Sequence, residues 1–160
     1  MGIPLGQQHI RLEWYELEQA GIIGLQRQIE AFRKNLTPKL GYWSWHSHIE
    51  GALAELAVAK ALNVYWAGGV NTFGAADVGA DIQVRLRKPK TPEELPALIV
   101  RPSDKPTDIY ILVTGESPQF TVVGWINGLQ AQNPEFLADY GGRGAAYFVP
   151  QHYLRSLHEL

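Results

Sequence analysis

A chain of 160 residues, 46% hydrophobic and 19% charged, has the composition of an ordinary folded domain, and one domain of this length can bury a sizeable core without cross-links. It contains no cysteine, which excludes a disulfide framework and a Cys-ligated zinc site. The net charge is −2 and the pI is near 6.2, so a general electrostatic grip on nucleic acid is excluded and any such contact must be local.

No apolar run approaches the roughly 20 residues that span a bilayer, so no membrane partner is expected. Met1-Gly2-Ile3-Pro4-Leu5-Gly6 lacks the basic-then-apolar pattern of a signal peptide, and Gly6 stands where a myristoylation motif needs Ser or Thr. With the lack of cysteine, this fits an intracellular, cytoplasmic protein. A homo-oligomer stays open.

The first helical signal runs from about Leu12 to Lys34, where Leu12, Tyr15, Ile22, Leu25, Ile29 and Phe32 recur at helical spacing and Thr37-Pro38 lies beyond the end. Gly21 and Gly24 interrupt it, either to let another backbone approach or to mark a bend. A second helix is expected over His48 to Leu62, with Ser47 and Glu50 as a capping box and Asn63 as terminator. Tyr42-Trp43-Ser44-Trp45 joins the two as an aromatic connection.

Beyond Val64 the period changes. Asp81 to Leu86 alternates polar and apolar and reads as a strand with Ile82, Val84 and Leu86 turned to the core. Leu98-Ile99-Val100 and Ile109 to Val113 read as central strands, Gly115 to Pro118 as a turn, and Phe120 to Trp125 as the return strand. A short helix over Asn127 to Gln132, a strand over Ala145 to Val149 and a terminal helix over Gln151 to Leu157 complete the chain. Strands in the middle with helices at both ends predict a mixed α/β (α+β) class.

Two places carry candidate chemistry. On the second helix, Glu55 and Lys60 are the only polar residues between Gly51 and Leu62. Glu55 has Val58 and Ala59, not a cation, at i+3 and i+4. It is either a half-exposed residue at the helix edge or a buried carboxylate that needs a partner. Glu50 ranks below it, because capping explains it. On the strand, Asp81, Gln83 and Arg85 share one face, with Asp77 in a turn just upstream. Hydrolysis of a phosphodiester with a divalent metal needs oxygen ligands and a nearby cation. Asp77 or Asp81 and the Gln83 carbonyl can serve as the ligands, Arg85 as the cation. The competing reading is an amphipathic strand whose polar face is solvated.

Other signals are weaker. Arg85, Arg87, Lys88 and Lys90 form a basic run that either meets phosphates or is solvated. His46, His48 and Glu50 lack the i, i+4 geometry of a zinc helix, and Gly141-Gly142-Arg143-Gly144 lacks the strand-to-helix setting of a phosphate loop. Trp125 reads as core. No nucleophile-elbow pattern is present.

Taken together, Gly51 to Ala59 around Glu55, and Asp77 followed by Gln83-Val84-Arg85, resemble the motifs of the PD-(D/E)xK nuclease superfamily. Leu98 to Pro102, Tyr110 to Gly115, Gly124-Trp125-Ile126 and Ala146 to Pro150 are similar to stretches of its phage-encoded members. The resemblance implies a single domain over 1–160, with a restriction-endonuclease-like mixed central sheet flanked by helices and a helical extension over about 1–45. It further implies a deoxyribonuclease dependent on Mg²⁺ or Mn²⁺ and, if phage-encoded, a place in the host cytoplasm. Glu55, Asp77, Gln83 and Arg85 would be catalytic, Glu55, Asp77, Asp81 and Gln83 would hold metal, and Arg85, Arg87, Lys88 and Lys90 would contact DNA. The chain departs from the pattern where Gln83 replaces the usual acid and Arg85 the usual lysine, which removes a ligand charge and a potential general base. The alternative to the nuclease is therefore a catalytically degenerate module of the same fold that binds nucleic acid or a protein partner.

Overall fold

A computed structural model describes residues 6–35, 44–72 and 74–160. The expectations placed on Met1 to Leu5, Thr37-Pro38 and Tyr42-Trp43 lie outside the described residues. In chain order the elements are β1 (Gln8–Arg11), α1 (Trp14–Arg33), α2 (Ser44–Leu62), β2 (Ile82–Arg87), β3 (Leu98–Val100), β4 (Ile109–Glu116), β5 (Gln119–Asn127), α3 (Gly128–Ala131), β6 (Leu137–Ala138) and β7 (Ala146–Val149). The class is α+β, as the order of signals predicts.

Four strands form a mixed sheet in the order β1-β5-β4-β2, with β2 parallel to β4 and the other neighbours antiparallel. β3, β7 and β6 form a second, antiparallel sheet. β4 is buried on both faces, which explains its unbroken apolar run. Ile111 and Val113 face the helical side with Ala52, Leu53, Ala57 and Val58 of α2. Tyr110 and Leu112 face the small sheet with Leu98, Val100 and Val149. α2 is apolar on nearly every side because it is enclosed between α1 and the sheet.

Several local expectations need correction. β1 was not anticipated; residues 8–11 pair with Gln119–Val122 of β5. Helix α2 already includes Ser44, so Ser47 is interior and cannot cap, and Glu50 is no capping residue. Its buried carboxylate instead accepts the Ser117 N–H (3.0 Å) and hydroxyl (2.5 Å), fastening the β4–β5 turn to α2. Asn63 does end α2: with φ 55° it allows the Val64 N–H to reach the Ala59 carbonyl at 2.9 Å. β3 is an edge strand of the small sheet, not a central one. In place of a terminal helix there are two short 3₁₀ turns, Gln151–Tyr153 and Leu157–Glu159. Between them Arg155 exchanges backbone hydrogen bonds with Trp125 at 2.8 and 2.9 Å. That pairing is possible because residue 124 is glycine: a Cβ there would lie 2.6 Å from the Arg155 carbonyl oxygen.

The glycines of α1 also separate into two roles. A Cβ on Gly24 would sit 2.5 Å from the Ile49 Cα, so this residue lets α1 and α2 cross closely, while Gly21 has open space around it. The face of α1 turned inward is Glu16, Ala20, Gly24 and Gln28. Tyr15, Ile22, Leu25, Ile29 and Phe32 face out.

Candidate functional site

β2 is an edge strand, and the candidate residues gather around its free edge. Ile82, Val84 and Leu86 pack on the helical side, so alternation sends Gln83, Arg85 and Arg87 to the opposite face. Asp77 lies in the plane between. The turn leading into β2 folds back, its Asp77 N–H bonded to the Ile82 carbonyl at 2.9 Å, and the Asp77 carboxylate accepts the unpaired Val84 N–H of the edge at 2.8 Å. From there it has electrostatic contact with groups on both sides of the sheet.

On the helical side stands Glu55, buried with 7% exposure. Its place at the helix edge is thus the buried one, and its partner comes from α1. Arg27 donates to Glu55 Oε1 at 2.8 Å and Oε2 at 2.9 Å, a bidentate pair, and the Trp66 indole N–H donates to Oε2 at 3.2 Å. The Arg27 Nε–H is held in turn by the Gly69 carbonyl at 2.9 Å. Burial pushes the Glu55 pKa up; the Arg27 hydrogen bonds oppose this and the charge of Asp77 adds to it. Asp77 is also raised, by burial first, against the pull of the Val84 N–H, Arg85 and Arg27. Two carboxylates within electrostatic reach, both raised, are a pattern found at functional sites.

On the other side, Arg85 pairs with Asp104 at 2.9 Å and lies over the Tyr110 ring, 5.1 Å from its centroid. Burial, with Asp104 nearby, pushes the Tyr110 hydroxyl up to about 12. Gln83 is turned away from the carboxylates: its amide donates to the buried Asp108 at 3.0 Å.

The structure therefore brings Glu55, Asp77 and Arg85 to one edge, with Gln83 one step removed. Asp81 is exposed. The basic run divides. Arg87 is half-buried, donates to the Ala97 carbonyl at 3.4 Å and has its pKa lowered by burial. Lys88 pairs with Glu116 at 2.5 Å beside Glu50, and Lys90 is exposed at the start of the following loop.

Asp77 and Arg85 line an open cleft of about 1790 Å³ whose wall also carries Arg27, His48, Arg101 and Arg143. Burial and the Arg27 charge lower the His48 pKa, so at neutral pH the imidazole adds no charge there. Arg101 and Arg143 are exposed, and their guanidinium groups have no acidic partner among the described residues. Arg143 stands in a turn made by Gly141, Gly142 and Gly144, all at positive φ.

The donors do not fit a resident Mg²⁺ or Mn²⁺ in this arrangement. Both Glu55 oxygens are taken by a guanidinium and one Asp77 oxygen by a backbone N–H, while the Gln83 side chain is tied by its N–H to Asp108, away from the two carboxylates. Among the described residues no three His, Asp or Glu side chains lie close enough together to hold a metal ion. Sequence reasoning missed Arg27, Asp108 and Arg101, and it set Arg143 aside because the glycines around it lack the setting of a phosphate loop. The unpartnered carboxylate on an apolar helix was a signal that a cation had to exist, but nothing in the spacing said which. Searches against protein-family models, curated proteins and solved structures find no match for this chain.

Proposed function

We propose that the protein is an intracellular DNA-binding module on a nuclease-like scaffold, which takes backbone phosphates in the cleft beside β2. The observation that carries this reading is the Arg27–Glu55 pair. The acid that metal-dependent cleavage would need is already neutralised bidentately, while Arg101 and Arg143 stand in the same cleft with no acidic partner among the described residues. Phosphate recognition requires only such guanidinium groups, and it meets the condition set by a net charge of −2 that contact with nucleic acid be local. No described helix is long and apolar enough to cross a membrane.

A Mg²⁺- or Mn²⁺-dependent DNA nuclease is the second reading, and the charge of Asp77 felt at Glu55 favours it. It requires Arg27 to leave Glu55. One paired experiment separates the two. DNA affinity is measured in EDTA for the wild type and for Arg101→Ala/Arg143→Ala, and DNA cleavage is measured in Mn²⁺ for the wild type and Asp77→Ala. The binding module predicts a loss of affinity of roughly tenfold or more in the double variant and no cleavage by any protein. Cleavage in Mn²⁺ that disappears with Asp77→Ala overturns it in favour of the nuclease.

A further inference from the structure

Helix α1 turns small and polar side chains toward α2 and leaves large ones outside. Tyr15 is 68% exposed, Ile22 55%, Leu25 41%, Ile29 38% and Phe32 49%. Their spacing is regular. Tyr15, Ile22 and Ile29 recur every seven residues, and Glu18, Leu25 and Phe32 form the alternate series three residues on. These are the a and d positions of a heptad pattern held through the helix, the spacing by which one helix seats its side chains into a second helix with the same repeat. The stripe lies opposite Ala20 and Gly24, so packing against α2 reaches it only at its end, where the Phe32 ring meets Trp45 edge-on with centroids 5.6 Å apart.

Size and charge decide what covers it. With full-sized side chains at roughly 200 Å² each, the five apolar residues expose on the order of 500 Å². Trp14, 69% exposed at the head of the same helix, raises this to about 650 Å², most of the roughly 800 Å² per partner of a stable protein interface. That is at the upper limit of the apolar patch a typical monomer shows to water. Charge sets the direction. Glu18 is the only charge in the seam and lies near its N-terminal end; Arg33, with its side chain 71% exposed and one guanidinium N–H on Glu30 at 2.7 Å, lies at the C-terminal end with its remaining N–H groups to offer. Parallel pairing would place Glu18 beside its own copy. Antiparallel pairing turns Glu18 toward the partner's Arg33, sets one series against the other so that Ile22 meets the partner's Leu25, and puts the two-fold axis beside these two residues.

We infer that α1 is a homodimer seam, on which a second copy of this chain packs antiparallel about a two-fold axis near Leu25. The test uses the full chain. Sedimentation equilibrium should give twice 17.8 kDa for the wild type in the micromolar range, and the monomer mass for Ile22→Glu/Ile29→Glu with an unchanged circular dichroism spectrum. Since the chain has no cysteine, Leu25→Cys supplies a second readout that needs no disruptive change. Under mild oxidation it should cross-link to itself in high yield, while Tyr15→Cys should not. A wild type that is monomeric throughout, including one whose stripe binds lipid vesicles or another protein instead, overturns the inference. So does a dimer that survives the double variant, or one in which Tyr15→Cys cross-links and Leu25→Cys does not.

Discussion

Glu55 and Asp77 show how burial and charge divide the work at a single edge. Glu55 is kept in place by a guanidinium with bidentate geometry, the arrangement that offsets much of the desolvation of a buried carboxylate. Among the described residues Asp77 has no direct cation partner, only the Val84 N–H and the more distant fields of Arg85 and Arg27, and its pKa is raised by burial. The folded chain therefore holds the Asp77 proton at a pH where the unfolded chain has released it. Asp77 contributes stability below its ordinary value of 3.8, and that contribution is lost as pH rises through the raised one. Asp77→Asn keeps an oxygen for the Val84 N–H and removes the titration. The variant should be more stable than the wild type at neutral pH, by about 1 kcal/mol, the scale found when a strained functional residue is relieved. The difference should shrink as pH falls through the raised pKa. Urea unfolding across pH measures it, and a difference independent of pH would show that Asp77 does not titrate in this range. Both acids were legible from sequence as isolated carboxylates in apolar or turn settings. Arg27 was not: it lies 28 residues before Glu55, and only the crossing of two helices brings it there.

Among the elements, α1 is where pattern and structure diverge. Spacing located the helix to within two residues, because large apolar residues at helical intervals mark a helix whatever they face. It did not say which face packs inward. The inward face is built from Ala20 and Gly24, and small residues carry a weak hydrophobic signal although they permit the closest contact. Similarly, the alternation of β2 was legible because its apolar residues meet the core, and the two-sided burial of β4 was legible as a continuous run. β1 and β6, four and two residues long, are too short to show a period. The turn after Pro150 was misread as helix because Leu154 and Leu157 fit either description. Gly24 makes the argument testable. Gly24→Val places a Cβ 2.5 Å from the Ile49 Cα, a contact with backbone that no side-chain rotation can relieve. It should destabilise the domain by about 2–3 kcal/mol, read from thermal or urea unfolding. Gly21→Ala, where a Cβ meets open space, should be neutral or slightly stabilising. Equal effects at both positions would mean that the helices do not cross at Gly24.

At the scale of the whole molecule, a net charge of −2 and a cleft lined by arginines have to be reconciled. They are reconciled by position. Lys60 and Lys88 are neutralised by Glu16 and Glu116 well away from the cleft, whereas Arg101 and Arg143 face it without an acidic partner among the described residues and Arg85 is shared with Asp104. Only two or three charges can then meet phosphate at once. The salt dependence of binding counts those contacts, because each neutralised phosphate releases its counterion. For duplex DNA the slope of log K against log salt should therefore be about −2 to −3, far shallower than for a protein with a basic face, and Arg101→Ala should reduce its magnitude by about 1. Lys90→Ala, on the loop beyond β2, should leave the slope unchanged. Fluorescence anisotropy over a salt series, in EDTA, gives both numbers. A slope several-fold steeper, or one reduced by Lys90→Ala and not by Arg101→Ala, would move the phosphate contacts out of the cleft and onto the basic segment that follows Arg85.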